Sequence, residues 1–164
     1  MARPPKLSVR FFLRADDLGY IKARISYDRQ LYTGNTKIMV PKKDFNYLNS
    51  DGTIKDPSNP YRPKAYGDVD LSELLLLYAD IIGKHLNDRI ASGKPLEREY
   101  IRNLLDYAGD TFGRQWSLFP LKFYDMQNLP EWQGKEKALK RYLKKNWRAY
   151  FNPLERWEEG SHEK

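Results

Sequence analysis

Two segments near the N-terminus, residues 7–14 and 20–27, alternate apolar and polar side chains with a period of two. This alternation is typical of β-strands that bury one face and expose the other. Turn-forming residues separate the two segments, and Asp28 and Arg29 then lead into a third strand-like stretch, residues 30–40. The pattern predicts a three-stranded antiparallel meander, and Gly34 is the position at which it allows a bulge.

The polar face of this sheet is rich in cations and contains no carboxylate. It would present five side chains: Arg10, Phe12, Arg14, Lys22 and Arg24. An antiparallel sheet that is covered on one side exposes polar residues in any case. An unselected mixture of polar residues would, however, usually include an acid. We therefore favour a functional interpretation of this face over simple solvation.

Helical patterns follow a loop that is rich in proline and glycine, residues 49–68. Asp70 is placed as an N-cap with Glu73 in the capping-box position, and apolar residues at helical spacing predict a helix that ends near Gly93. A second helix is expected from Lys94 to near Gly109. The predicted fold class is α+β: a three-stranded antiparallel sheet followed by three or more helices. The loop is the expected boundary between a sheet domain, residues 1–65, and a helical domain, residues 66–164.

Two C-terminal segments are open to more than one interpretation. Residues 110–130 are dense in aromatic and aliphatic side chains without a clear period, and Pro120 is expected to break any long helix. This segment would pack across the helices as an irregular arm, or, if exposed, would bind a protein partner or a second copy. Residues 131–151 predict a helix with one apolar and one basic face, which is either solvated or in contact with phosphates. The basic residues considered for phosphate contact are Lys140, Arg141, Lys144, Lys145 and Arg148.

The charge distribution favours a polyanionic partner. The net charge of +7 is concentrated at the two ends, since residues 1–48 carry ten basic and four acidic residues whereas residues 49–128 carry ten and twelve. The alternative is that this charge only keeps the protein soluble.

Several classes of protein and site are disfavoured by the residues present. Cysteine is absent and there are only two histidines, which excludes thiolate and histidine-rich metal sites. No phosphate-binding loop, nucleophile elbow or paired acid–base site is recognisable, so we expect no cofactor and no enzymatic activity. No apolar run is long enough to span a membrane, and a cytoplasmic location is expected.

Residues 6–105 resemble part of a known family. Residues 6–14 (KLSVRFFLR) and 20–25 (YIKARI) resemble the first two strands of the arm-type DNA-binding domain of bacterial and phage tyrosine recombinases, the integrases. Residues 32–34 (YTG), followed by residues 38–41 (IMVP) and Phe45, resemble the third strand of that domain. The resemblance implies a sheet that lies against a DNA groove. The side chains it selects for DNA contact are Arg10, Phe12, Arg14, Lys22, Arg24 and Lys37.

The chain departs from that family where catalysis is concerned. The His-x-x-Arg pair of the integrase catalytic domain does not occur, because His85 is followed by Leu86, Asn87 and Asp88. The sequence is also too short to hold that domain, which suggests a fragment, a truncated relative or a stand-alone accessory protein. We therefore expect a non-catalytic protein of a phage or mobile element that binds duplex DNA. The alternatives are a protein-interaction or assembly module that uses residues 110–130 and, with less support, an RNA-binding protein that stacks bases on Phe12.

Overall fold

A computed structural model describes residues 6–13, 19–65 and 69–157 of the chain. It contains the predicted sheet, in which β1 (Ser8–Phe12), β2 (Tyr20–Tyr27) and β3 (Gln30–Met39) are antiparallel neighbours in chain order. Asp28 and Arg29, with φ of 48° and 66°, form a two-residue turn between β2 and β3. Positive φ at both central residues is the geometry that matches the twist of a tight hairpin. The α+β fold class is confirmed.

The bulge in the sheet does not lie at Gly34, contrary to the sequence prediction. Gly34 pairs regularly with Ala23, and the register shifts further along, between the pairs Lys22–Asn35 and Tyr20–Met39. Lys37 has φ of 65° within this irregular stretch, and its N–H donates to Asn35 Oδ1 at 2.7 Å. Gly34 is small for a different reason, because a β-carbon there would lie 2.7 Å from the Leu105 β-carbon.

The remaining elements are mostly helical. A short helix, α1 (Lys42–Phe45), follows the sheet. Two antiparallel strands of two residues each, β4 (Lys64–Ala65) and β5 (Val69–Asp70), precede the long helices. These are α2 (Leu71–Ala91) and α3 (Arg98–Met126), and α4 (Glu136–Lys145) lies near the C-terminus. As predicted, Asp70 caps α2 by accepting a hydrogen bond from the Glu73 N–H, at 3.1 Å.

Two predicted helix boundaries are wrong. α3 continues through Gly109 and Pro120 to Met126, so the aromatic stretch from residue 110 to residue 126 is helical instead of an irregular arm. Gly109 is a packing position, since a β-carbon there would lie 2.3 Å from the Asn35 carbonyl oxygen of β3. The predicted helix over residues 131–151 is divided into a 3₁₀ turn at Pro130–Trp132, α4, and a second 3₁₀ turn at Trp147–Tyr150.

Sheet and helices are held together by one hydrophobic core. The inner face of the sheet, with Phe11, Ile21, Ala23 and Ile25, is buried against α2 and α3. Phe11 contacts the ring of Tyr78 in α2, and Tyr78 contacts Phe112 in α3, with ring centroids 5.9 and 5.7 Å apart. The predicted regions 1–65 and 66–164 therefore both contribute residues to this core.

The C-terminal segment closes the helical layer. Phe151 packs against Phe112 and Trp116, with ring centroids 5.9 and 4.3 Å apart. The Gln115 side-chain amide forms two hydrogen bonds with the Asn152 backbone, both at 3.0 Å. Its Nε2 donates to the Asn152 carbonyl, and its Oε1 accepts from the Asn152 N–H. These contacts fix the segment that follows α4 against α3.

Candidate functional site

The strand pairing brings four of the predicted site residues together on the solvent side of the sheet. Arg10 lies directly opposite Arg24, and Phe12 lies directly opposite Lys22. β3 adds Thr33 beside Arg24. Both arginines and Thr33 are exposed, whereas Phe12 and Lys22 are half-buried. We call these five residues, Arg10, Phe12, Lys22, Arg24 and Thr33, the outer face.

The two arginines form a like-charge pair across neighbouring strands. Residues that face each other in antiparallel strands have β-carbons about 5 Å apart, and like charges in this position destabilise a sheet. The Arg24 guanidinium lies over the Phe12 ring, 4.6 Å from its centroid. This cation–π contact holds Arg24 on the outer face without neutralising its charge.

A carboxylate from outside the sheet reaches the outer face, which corrects the expectation that this face is free of acids. Asp51 Oδ2 lies 3.7 Å from Arg10 Nη1, and both side chains are about half-exposed. Asp51 belongs to the turn between Leu48 and Ile54, which form an isolated antiparallel bridge. This turn lies along the edge of β1, where the Phe11 N–H donates to the Ser50 carbonyl at 2.6 Å. The sequence Asp51-Gly52-Thr53 indicates a turn, but the position of this turn beside Arg10 depends on the tertiary structure.

The Asp51 carboxylate is held in place by Thr53. The Thr53 hydroxyl and N–H both donate to Asp51 Oδ1, at 2.6 and 3.0 Å. These two bonds, with a smaller contribution from the charge of Arg10, hold the pKa of Asp51 below its usual value. Asp51 is therefore ionised at neutral pH.

Two other predicted sheet residues are not part of the outer face. Lys37 lies within the irregular stretch of β3, and its side chain packs against Gly109 and Gly113 of α3. The positive φ of Lys37 and the shifted register account for this displacement. Arg14 lies outside the residues that the structure describes.

The basic residues of the C-terminal helix have different environments. Lys140 Nζ lies 5.2 Å from the centroid of the Phe123 ring, and Arg148 forms an ion pair with Glu73 of α2 at 3.3 Å. These two contacts attach the C-terminal segment to α3 and α2. Three other basic residues are exposed and have no carboxylate within ion-pair distance in the described part of the chain: Arg141, Lys144 and Lys145. We call these three residues the α4 cations.

The aromatic segment is partly core and partly surface. Phe112 and Trp116 are buried, as the first of the two interpretations of this segment, packing against the other helices, requires. Leu118, Leu121 and Tyr124 are 49%, 50% and 60% exposed and follow one another at helical spacing on the second half of α3. We call these three residues the apolar stripe.

The described residues offer little for other chemistry. Within residues 6–13, 19–65 and 69–157, no group of three or more histidine, aspartate or glutamate side chains could hold a metal ion. No helix in that part of the chain has the length and apolarity needed to cross a membrane. His85 is half-buried at the boundary of the core, with Nε2 2.6 Å from the Tyr100 hydroxyl.

Comparisons with known proteins give no relative for this chain. It matches no protein-family model, no curated protein and no solved structure. The resemblance to the integrase arm-type domain therefore stays a prediction from the sequence.

Proposed function

We propose that this protein is a non-catalytic DNA-binding protein that contacts duplex DNA through the outer face of its sheet. The observation that carries the proposal is the direct pairing of Arg10 with Arg24 across β1 and β2. This arrangement opposes folding, and a polyanion would relieve it by bringing negative charge and hydrogen-bond acceptors to the two guanidinium groups. Each phosphate neutralised in this way also releases condensed counterions from the DNA.

The α4 cations are the second part of the proposed DNA-binding surface. Arg141, Lys144 and Lys145 are exposed and available for phosphate contact. Lys140 and Arg148 contribute less, because their side chains already contact Phe123 and Glu73. We further propose, from the resemblance of residues 6–105, that the protein is integrase-related, belongs to a phage or mobile element and acts in the cytoplasm.

Substitution of the arginine pair tests the proposal. The Arg10→Gln/Arg24→Gln variant removes two charges from the outer face, and Lys64→Gln/Lys94→Gln removes two exposed charges elsewhere. Fluorescence anisotropy with a labelled duplex should show an affinity loss of at least roughly tenfold for the first variant, because charge-assisted contacts are lost. The second variant should bind nearly as tightly as the wild type. Equal affinities of the two variants would show that only net charge matters and would refute the proposed site.

A second candidate function is supported by the apolar stripe. Leu118, Leu121 and Tyr124 expose apolar surface that the described residues of this chain leave uncovered. A protein-interaction or assembly module would associate through it in a concentration-dependent manner that is insensitive to moderate salt. Sedimentation of the wild type and of Leu121→Lys would distinguish this function, because only the wild type would associate, and neither would need DNA.

A further inference from the structure

The carboxylate beside Arg10 is held more rigidly than an ordinary surface acid. Thr53 donates two hydrogen bonds to Asp51 Oδ1, which leaves Oδ2 directed towards the Arg10 guanidinium. The turn that carries Asp51 is itself held in place, because the buried Ser72 hydroxyl donates to the Gly52 carbonyl at 2.6 Å. The outer face therefore presents a fixed acceptor next to a donor group.

Stability and non-specific DNA affinity do not explain this acid. A half-exposed ion pair contributes little to folding. A negative charge next to Arg10 also weakens the attraction of the outer face for phosphate. On a surface that binds DNA, such a carboxylate can form a hydrogen bond with the DNA only where it meets a donor, and the DNA backbone offers none.

Base edges in the major groove do offer donors. A G·C pair presents two adjacent acceptors, guanine N7 and O6, followed by one donor, the cytosine N4 amino group. An A·T pair presents an acceptor, a donor and an acceptor in that order. An arginine with a carboxylate at its side matches the first pattern, since the guanidinium donates to both guanine acceptors and the carboxylate accepts from cytosine. It does not match the second, because thymine O4 would face the carboxylate.

We propose that Asp51 is a specificity-determining residue and that the Arg10–Asp51 pair selects a G·C base pair. This inference rests on the proposed DNA-binding function and adds to it the class of sequence preferred. Arg24 and Lys22 would supply affinity through phosphates without regard to sequence.

The test is a comparison of base preference between two matched variants. In Asp51→Asn the Thr53 bonds to Oδ1 can form as before, but an amide donor replaces the acceptor that faces Arg10. Asp56→Asn is the control, because Asp56 also accepts from a residue two positions on, through the Ser58 N–H at 3.1 Å and hydroxyl at 2.6 Å. Both variants lose one negative charge from the same loop. Each is titrated by anisotropy with an alternating G·C duplex and an alternating A·T duplex of equal length.

The outcomes separate this inference from the proposed function. We expect the wild type and Asp56→Asn to prefer the G·C duplex by about tenfold, the usual order for one good base contact. Asp51→Asn should bind both duplexes with a ratio close to one and bind the A·T duplex no more weakly than the wild type does. If the wild type binds both duplexes equally, or if Asp51→Asn keeps the preference, the inference is wrong while DNA binding stands. Absence of any binding at low salt overturns both.

Discussion

The contact between α3 and β3 gives a sharp prediction about two glycines in the same helix. Gly109 and Gly113 both lie within α3, so replacing either with alanine gains the same intrinsic helix propensity, about 1 kcal/mol. Their surroundings differ. A β-carbon at Gly109 would lie 2.3 Å from the Asn35 carbonyl oxygen, whereas at Gly113 the nearest atom would be the Lys37 β-carbon at 3.4 Å.

The two substitutions should therefore change stability in opposite directions. The 3.4 Å contact is ordinary van der Waals packing, so Gly113→Ala should raise the free energy of unfolding by about 0.5–1 kcal/mol. Gly109→Ala must move α3 or β3 apart, and backbone shifts of this kind cost about 1–3 kcal/mol or more beyond the propensity gain. We expect a net loss of about 1–3 kcal/mol for Gly109→Ala.

Urea denaturation followed by circular dichroism measures both variants against the wild type. The resulting gap of about 1.5–4 kcal/mol between the two variants corresponds to a difference in Tm of roughly 3–16 °C for a chain of this size. If Gly109→Ala proves as stable as Gly113→Ala, then α3 does not approach β3 as closely as described, and the account of Gly109 as a packing position is refuted.

Three further substitutions test other parts of the structure by the same denaturation assay. Tyr78→Phe should be as stable as the wild type or more stable by about 1 kcal/mol, because the buried Tyr78 hydroxyl has no hydrogen-bond partner among the described residues; a clear loss would reveal a partner. Asp70→Ala should lose about 1 kcal/mol with the N-cap of α2, whereas an unchanged stability would mean that the cap is dispensable. Folding lowers the pKa of Asp51, so its stabilising effect is present above the ordinary aspartate pKa of about 4 and is lost as the pH falls through the folded value. The stability difference between wild type and Asp51→Asn should accordingly shrink on acidification, and a difference that stays constant with pH would contradict this.

Local patterns were sufficient to predict the sheet and the first long helix. The alternation in residues 7–14 and 20–27 identified which side chains are buried, because one face of each strand packs on the helices. Asp70 was identified as an N-cap because its partner, the Glu73 N–H, is only three residues away. In both cases the relevant interactions are set by residues that are close in the sequence or by simple periodicity.

The errors arise where a distant contact decides the structure. Gly109 resembles a helix end in the sequence, but it is required by the approach of Asn35 from β3. Lys37 was selected for DNA contact by the resemblance to the integrase arm-type domain, and the irregular register of β3 places its side chain against α3. Asp51 was not considered for the site because only the tertiary fold brings its turn beside Arg10.

The salt dependence of duplex binding tests the central claim most directly. If about five phosphates are neutralised, log K for the wild type should fall against log salt with a slope of about −4.5. Arg10→Gln/Arg24→Gln should make this slope shallower by about 1, since the phosphate contact of Arg24 contributes about 0.9 whereas Arg10 contacts a base. An unchanged slope in that variant, or no binding by the wild type even at low salt, would contradict the proposal that the outer face binds DNA.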